Sequence, residues 1–257
     1  MSDNQKTLNS SIEFTGVGLH TGKDVHMVIE PAKINHGVKF QRVDLENQPI
    51  LNADINLVTD TQRCTTLEKD NVKIVTVEHL MSALYALGVN NVLIKMDSSE
   101  VPILDGSAKY FVEEIQKVGL KVQDAPLKYI DLPDPIHYTD PDSGSEILFV
   151  PANNFIISVV LDYQNLALGT QYAEIRDLKD YSTEIAPCKT FVFLTELEKL
   201  AKANLIKGGG LENAIVVVDR EDIKPNEIKK LAHLSGKDHS DIQINGNVLN
   251  NCEMQFY

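Results

Sequence analysis

The sequence predicts an α+β fold in two domains of similar plan, each a β-sheet packed with two helices. Three observations carry that prediction. Short runs of β-branched and aromatic residues are separated by Gly, Pro, Asn and Asp, as strands are. Two segments of the first half repeat apolar residues at helical spacing and end on glycine. Beyond a proline-bearing tract at Ala125–Leu127, with Pro133 and Pro135 after it, strands and then helices begin again.

Taken in order, Ile12 to Leu19, Val25 to Ile29 and Val38 to Val43 read as strands, followed by Cys64 to Leu67 and Val72 to Val75. Thr76 then reads as the N-cap of a helix whose apolar positions are Val77, Leu80, Met81, Leu84 and Leu87, with Gly88 just beyond its end. Val92–Leu93–Ile94 reads as a buried strand. After the turn Asp105–Gly106, Ser107 caps a second helix that sets Phe111, Val112, Ile115 and Val118 on one face and stops at Gly119. The second half offers strands at Glu146 to Val150, Phe155 to Tyr163 and Ala214 to Val218, with helices near Thr195 to Leu205 and Asn226 to Leu234. These readings place a first domain over 1–125 and a second over 126–257, the latter incomplete because Gly246 to Tyr257 lead into no visible final element.

Composition narrows the function. With 257 residues, 43% of them hydrophobic, the chain can fill one large core or two small ones. It carries 24 Lys and Arg against 37 Asp and Glu, a formal net charge of −13. No run of Lys and Arg supplies the basic face that a general nucleic-acid binder needs, so any anionic ligand must be held by a few local cations. No apolar run approaches the ~20 residues of a membrane helix. The polar start MSDNQKTLNSS lacks a secretory apolar stretch. Cys64, Cys188 and Cys252 are odd in number and widely spaced, which fits reduced thiols in a cytoplasm.

Three segments can carry chemistry. Thr76–Val77–Glu78–His79–Leu80 sets an acid and an imidazole in the first turn of a helix, where backbone N–H groups favour negative charge. A His on zinc beside a Glu that takes a proton from water is a sound hydrolase arrangement, and a merely solvated first turn explains the same two residues. Gly16–Val17–Gly18–Leu19–His20–Thr21–Gly22 allows a tight hairpin presenting His20, and does not open a helix as a phosphate loop does. Cys188–Lys189–Thr190–Phe191–Val192–Phe193 aims a cation and a hydroxyl from a strand, and also reads as an ordinary strand.

Together these segments are more specific than any one of them. TGVGLHTG at Thr15 to Gly22, TVEHL at Thr76 to Leu80, VPILDGSA at Val101 to Ala108, KTFVF at Lys189 to Phe193 and GGLENAIVV at Gly209 to Val217 occur in the order and spacing of one family. The chain resembles the UDP-3-O-acyl-N-acetylglucosamine deacetylases, zinc amidases of lipid A synthesis, from residue 7 to about residue 220. The resemblance implies two α+β domains with the active site between them and a Zn2+ cofactor. It implies that His79 is a zinc ligand, that Glu78 is the general base activating water, and that the Thr190 hydroxyl stabilises the tetrahedral oxyanion. His20 matches a cleft residue that positions substrate or water, and Tyr163 an aromatic position near the uridine. Phe191 and the insert at 194–210 match the acyl-chain passage. Cys64 matches a cysteine near the metal. Asp105, in the matching turn, either orients an imidazole or caps a helix. Lys189 and Lys207 are the cations expected to meet the anionic nucleotide-sugar.

The departures qualify this. The family's remaining zinc ligands, in a His-Lys-x-x-Asp helical motif, and a further proton-donating His lie beyond the matched region and have no counterpart here. Lys237–Asp238–His239–Ser240–Asp241 sets His and Asp at i+2, off one helical face, and reads as an acidic surface insertion. Lys189 replaces a common arginine, and Arg63 a common apolar residue beside the site. Asn251 to Tyr257 resemble the stretch before the missing motif. The expectation is therefore an N-terminal piece of a longer deacetylase, of the kind fused to a C-terminal 3-hydroxyacyl-carrier-protein dehydratase. The alternative is a fragment that is inactive alone, a binding module or inert piece, because most of the zinc site is absent.

Overall fold

The computed structural model describes residues 4–130, 132–165, 167–202, 207–219, 244–245 and 248–249. The chain begins with β1 (Asn4–Leu8), β2 (Ile12–Val17), β3 (Asp24–Pro31), β4 (Val38–Arg42), β5 (Ile50–Asn52), β6 (Val58–Asp60), β7 (Thr66–Lys69) and β8 (Val72–Ile74). Then follow α1 (Glu78–Ala86), β9 (Val92–Met96), α2 (Lys109–Val118) and β10 (Leu120–Pro126). The α+β class read from the sequence is the class observed.

A five-stranded sheet runs in the order β2-β3-β9-β4-β5, with β9 antiparallel to β3 and parallel to β4. Val92, Ile94 and Met96 are fully buried on one face of β9, the period of two that a central strand against helices requires. α1 buries Leu80, Ala83 and Leu84, and α2 buries Phe111, Val112 and Ile115. Phe111 meets Phe14 of β2 edge to face at 5.0 Å, fixing α2 to the sheet. β1 and β10, neither expected from the sequence, pair with each other, so the chain's first strand closes against the strand after α2.

The second half holds β11 (Ile136–Thr139), β12 (Glu146–Phe149), β13 (Ile157–Asp162), β14 (Thr170–Ile175), α3 (Tyr181–Glu184), β15 (Phe191–Phe193), α4 (Leu194–Lys202), β16 (Ile215–Val217), β17 (Ile244–Asn245) and β18 (Val248–Leu249). β11 pairs β12 and β13 pairs β14 as hairpins, while β15, β16, β18 and β17 form one sheet in that order. β15 and β16 run parallel and are joined through α4, which packs Leu194 on Val216 and Val218. Ile175, Tyr181 and Ala186 join the core of the first half. The expected helix near 226–234, the segment 237–241 and Cys252 lie outside the described residues. Among the described residues, no helix is long and apolar enough to cross a membrane.

Two local readings change. Thr76 does not cap α1: the N-cap position is Val77 without a side-chain bond, and Thr76 adopts φ +59 with its hydroxyl turned elsewhere. The strand expected at Cys64 to Leu67 starts later, at Thr66, after Arg63 turns through φ +63. Ser107 stands one residue before the Ala108 N-cap position of α2, and its hydroxyl accepts from the Lys109 amide.

Candidate active site

Glu78 is the first residue of α1, and its Oε2 accepts from the amide of Thr65 at 2.9 Å. That bond aims the carboxylate at the turn containing Cys64 and Arg63 rather than at bulk water. Arg63 reaches across to the second half, with Nη2 3.1 Å from Glu196 Oε1 of α4. His79, next in the helix, is half-buried. Burial holds its imidazole below the usual histidine range against the opposing charges of Glu78 and Asp105, so the ring stays neutral at pH 7. A neutral imidazole is the form that ligates a metal.

Asp105 links this helix to the second half. Its Oδ1 accepts from the amide of Ser107 at 3.1 Å and its hydroxyl at 2.7 Å, and its Oδ2 lies 3.5 Å from Lys189 Nζ. Asp105 therefore shapes the α2 entry turn and pairs with Lys189, and its charge acts on His79 without a hydrogen bond between them. Lys189 Nζ also donates to the carbonyl of Glu212 at 3.1 Å. Thr190 is fixed by its backbone, its amide donating to Gly106 at 2.8 Å and its carbonyl accepting from Ile215 at 2.9 Å. Gly106 has φ +85, and a Cβ there would overlap the carbonyl oxygen of Asn213. Only glycine fits both constraints.

The glycine hairpin between β2 and β3 carries His20 and is closed by Gly22 donating to Gly18 at 2.9 Å. Gly208 of the second half donates to Leu19 at 3.0 Å, and Lys207 packs its Cβ over Gly22. The turn at 208–210 is shaped by Asn213, which is buried, donates to the Gly208 carbonyl at 2.9 Å and accepts from the Gly210 amide at 2.8 Å. Phe191 lies at the other end of this region. Its ring meets Tyr163 at 5.5 Å and Phe193 at 5.6 Å, and Tyr163 meets Phe193 at 6.1 Å, all edge on. Burial raises the Tyr163 phenol, keeping it neutral.

The fold thus sets Glu78, His79, Asp105, Lys189 and Thr190 along one seam, with His20 and Lys207 on a second contact and Tyr163 with Phe191 on an aromatic wall. Among the described residues, no three His, Cys, Asp or Glu side chains converge as a metal ion would need. Among the described residues the donor set offers one metal ligand, His79, and does not complete a site. Sequence reasoning missed Phe193 and Asn213, and it missed Glu100, a fully buried acid at 0% exposure. The signal for Glu100 was an acidic residue flanking an apolar stretch, Glu100–Val101–Pro102–Ile103.

A family model described as UDP-3-O-acyl N-acetylglycosamine deacetylase (LpxC) matches residues 5–230. The bifunctional enzyme LpxC/FabZ of Bacteroides thetaiotaomicron is 44% identical over 92% of the chain and 51% of its own length. The protein of the same name in Porphyromonas gingivalis is 40% identical over 96% of the chain and 53% of its own length. The UDP-3-O-acyl-N-acetylglucosamine deacetylase of Chromohalobacter salexigens is 42% identical over 84% of the chain and 71% of its own length. The chain spans about half the length of the bifunctional relatives it matches.

Proposed function

The chain belongs to the UDP-3-O-acyl N-acetylglycosamine deacetylase family, and from that premise we propose that the whole protein hydrolyses the acetamide of UDP-3-O-(3-hydroxyacyl)-N-acetylglucosamine, releasing acetate and the free amine. The observation that carries the reading is the seam itself. What supports it is a run of contacts between the two halves, from the carboxylate Glu78 and neutral imidazole His79, through Asp105, whose charge acts on His79, to the cation Lys189, with the hydroxyl-bearing Thr190 bonded to Gly106 beside it. Amide hydrolysis needs a base for water, an electrophile and a donor for the oxyanion.

In this reading Glu78, steadied by the Thr65 amide, takes a proton from the attacking water and returns it to the amine nitrogen as the C–N bond of the tetrahedral adduct breaks, leaving acetate and the free amine. His79 would be one ligand of a Zn2+ ion whose other ligands are not among the described residues, and such an ion would supply Lewis-acid polarisation of the scissile carbonyl. The Thr190 hydroxyl donates to the developing oxyanion, its backbone pinned between Gly106 and Ile215 so that the donor needs no reorganisation. Lys189 and Lys207 balance the phosphates, which an acidic chain must meet with local cations. His20 positions substrate from the hairpin. Tyr163 lies against the uridine, and Phe191 borders the acyl chain. The chain divides functionally at about residue 125, with the site between the two parts. The parent protein is of the bifunctional kind, carrying a dehydratase, and works in the cytoplasm, where Cys64 and Cys188 stay reduced.

The test is acetate release and mass loss from the UDP-sugar by the zinc-loaded full-length protein. Stoichiometric acetate with free amine is expected. Retention of the acetyl group on a substrate that binds would overturn the reading.

A further inference from the structure

Glu100 has no side-chain access to solvent, and four hydrogen-bond donors meet its carboxylate. The His20 amide donates to its Oε1 at 3.0 Å, the Thr21 amide and hydroxyl both donate to Oε2 at 2.8 Å, and the Thr76 hydroxyl donates to Oε1 at 2.9 Å. A buried carboxylate is costly unless every lone pair is satisfied, so this arrangement is specific to an acid at this position. An additional Cβ on Gly18 would overlap Oε2, which explains the glycine in the middle of the hairpin. The donors come from two places. One is the hairpin carrying His20; the other is the residue two before Glu78.

Thr76 supplies an independent observation. It is β-branched and held at φ +59, a conformation such residues rarely adopt and one that persists only when the surroundings enforce it. The enforcement is visible on both sides of the residue. Val75 donates to Ser99 at 2.8 Å, Val101 donates to Val75 at 3.0 Å, and the Thr76 hydroxyl is taken by Glu100. The strained turn leads directly into α1, so its geometry decides where Glu78 and His79 point.

We propose that Glu100 is a positioning residue that clamps the His20 hairpin and the Thr76 turn to one another, setting the hairpin and the Glu78–His79 helix start in a single register. This rests on the reading of Glu78 and His20 as site residues given above. Glu100 acts through them and touches no substrate. The two arms separate in kinetics. The Thr76 arm orients the base and acts on kcat, whereas the Thr21 arm holds the hairpin that meets substrate and acts on KM.

The test uses the full-length protein with Glu100→Gln, Thr76→Val and Thr21→Val. Gln replaces one acceptor oxygen by an NH2 group that the backbone amide facing it cannot bond, while the neighbouring hydroxyl must turn to accept; the Val variants each remove one hydroxyl without changing shape. Hydrogen–deuterium exchange should speed up about tenfold or more in 16–22 and 76–79 of Glu100→Gln while Met27 to Ile29 in β3 stay protected. Thr76→Val should lower kcat by about ten- to a hundredfold with KM within about twofold, and Thr21→Val should raise KM with kcat within about twofold. Wild-type exchange in both segments of Glu100→Gln, or equal loss of stability in all three variants with kcat and KM unchanged, would overturn the clamp. If Glu100→Gln fails to fold, the two Val variants decide by the same split. A wild-type protein that does not deacetylate refutes the functional reading, and the exchange result still judges the clamp.

Discussion

The amide of Gly208 donates to the carbonyl of Leu19 at 3.0 Å, tying the glycine turn of the second half to the hairpin that carries His20. A Cβ on Gly208 would overlap the Gly18 carbonyl, so the two backbones meet with no side chain between them. This contact and the Thr190–Gly106 bond are two of the stitches that close the seam around the candidate site, beside the Arg63–Glu196 and Asp105–Lys189 pairs.

Gly106→Ala should destabilise the protein more than Gly37→Ala. Both glycines have positive φ, +85 and +73, so both substitutions carry the left-handed cost of about 1–2 kcal/mol. Nothing lies within 4 Å of a Cβ on Gly37, whereas one on Gly106 meets the Asn213 backbone. Thermal unfolding measures the difference, and Gly106→Ala alone should also lose activity because it displaces Thr190.

Thr190→Val should lower kcat by about a hundred- to a thousandfold with little change in melting temperature, the loss expected of one oxyanion donor. Its backbone bonds to Gly106 and Ile215 survive the substitution. A thermal shift comparable to that of Gly106→Ala would instead mark Thr190 as structural.

Stability of the metal-free protein should fall as pH drops below 6.5. His79 and His36 are both held below that ordinary value, each chiefly by burial, so the folded state takes up protons less readily than the unfolded chain. Above 6.5 the rings are neutral in both states and the effect vanishes; below it the unfolded chain gains protons first. Denaturant melts from pH 7.5 to 5 check the slope, and His79→Gln should flatten it.

Tyr163→Leu should raise KM for the UDP-sugar and lower stability by about 1 kcal/mol, whereas Tyr163→Phe should keep most of both. The ring, not the phenol, makes the edge contacts to Phe191 and Phe193. Steady-state kinetics on the two variants separates the ring from its hydroxyl.

What the sequence reveals follows from how local each signal is. α1, α2 and β9 carry strong periodicity and glycine stops, and they stand where the pattern puts them. β1 and β10 escape notice because their polar residues are satisfied by distant partners. Gln5 of β1, for example, donates to the Pro126 carbonyl at 3.0 Å. Thr76 has the right residue type and position for a cap, yet its hydroxyl binds Glu100, a tertiary partner that outcompetes the local role. Glu78, His79, Lys189 and Thr190 were legible through their motifs. Glu100 was not, since a lone acid acquires meaning only when folding delivers the His20 amide to it.

The account's central claim is that the seam at Glu78 performs the hydrolysis. Acetate release by full-length wild type and Glu78→Gln, each with its bound zinc quantified, tests it most directly. The account predicts equal metal content and a loss of about a hundred- to ten-thousandfold in the variant, the range for removing a general base. Wild-type turnover by Glu78→Gln at equal metal content would contradict it.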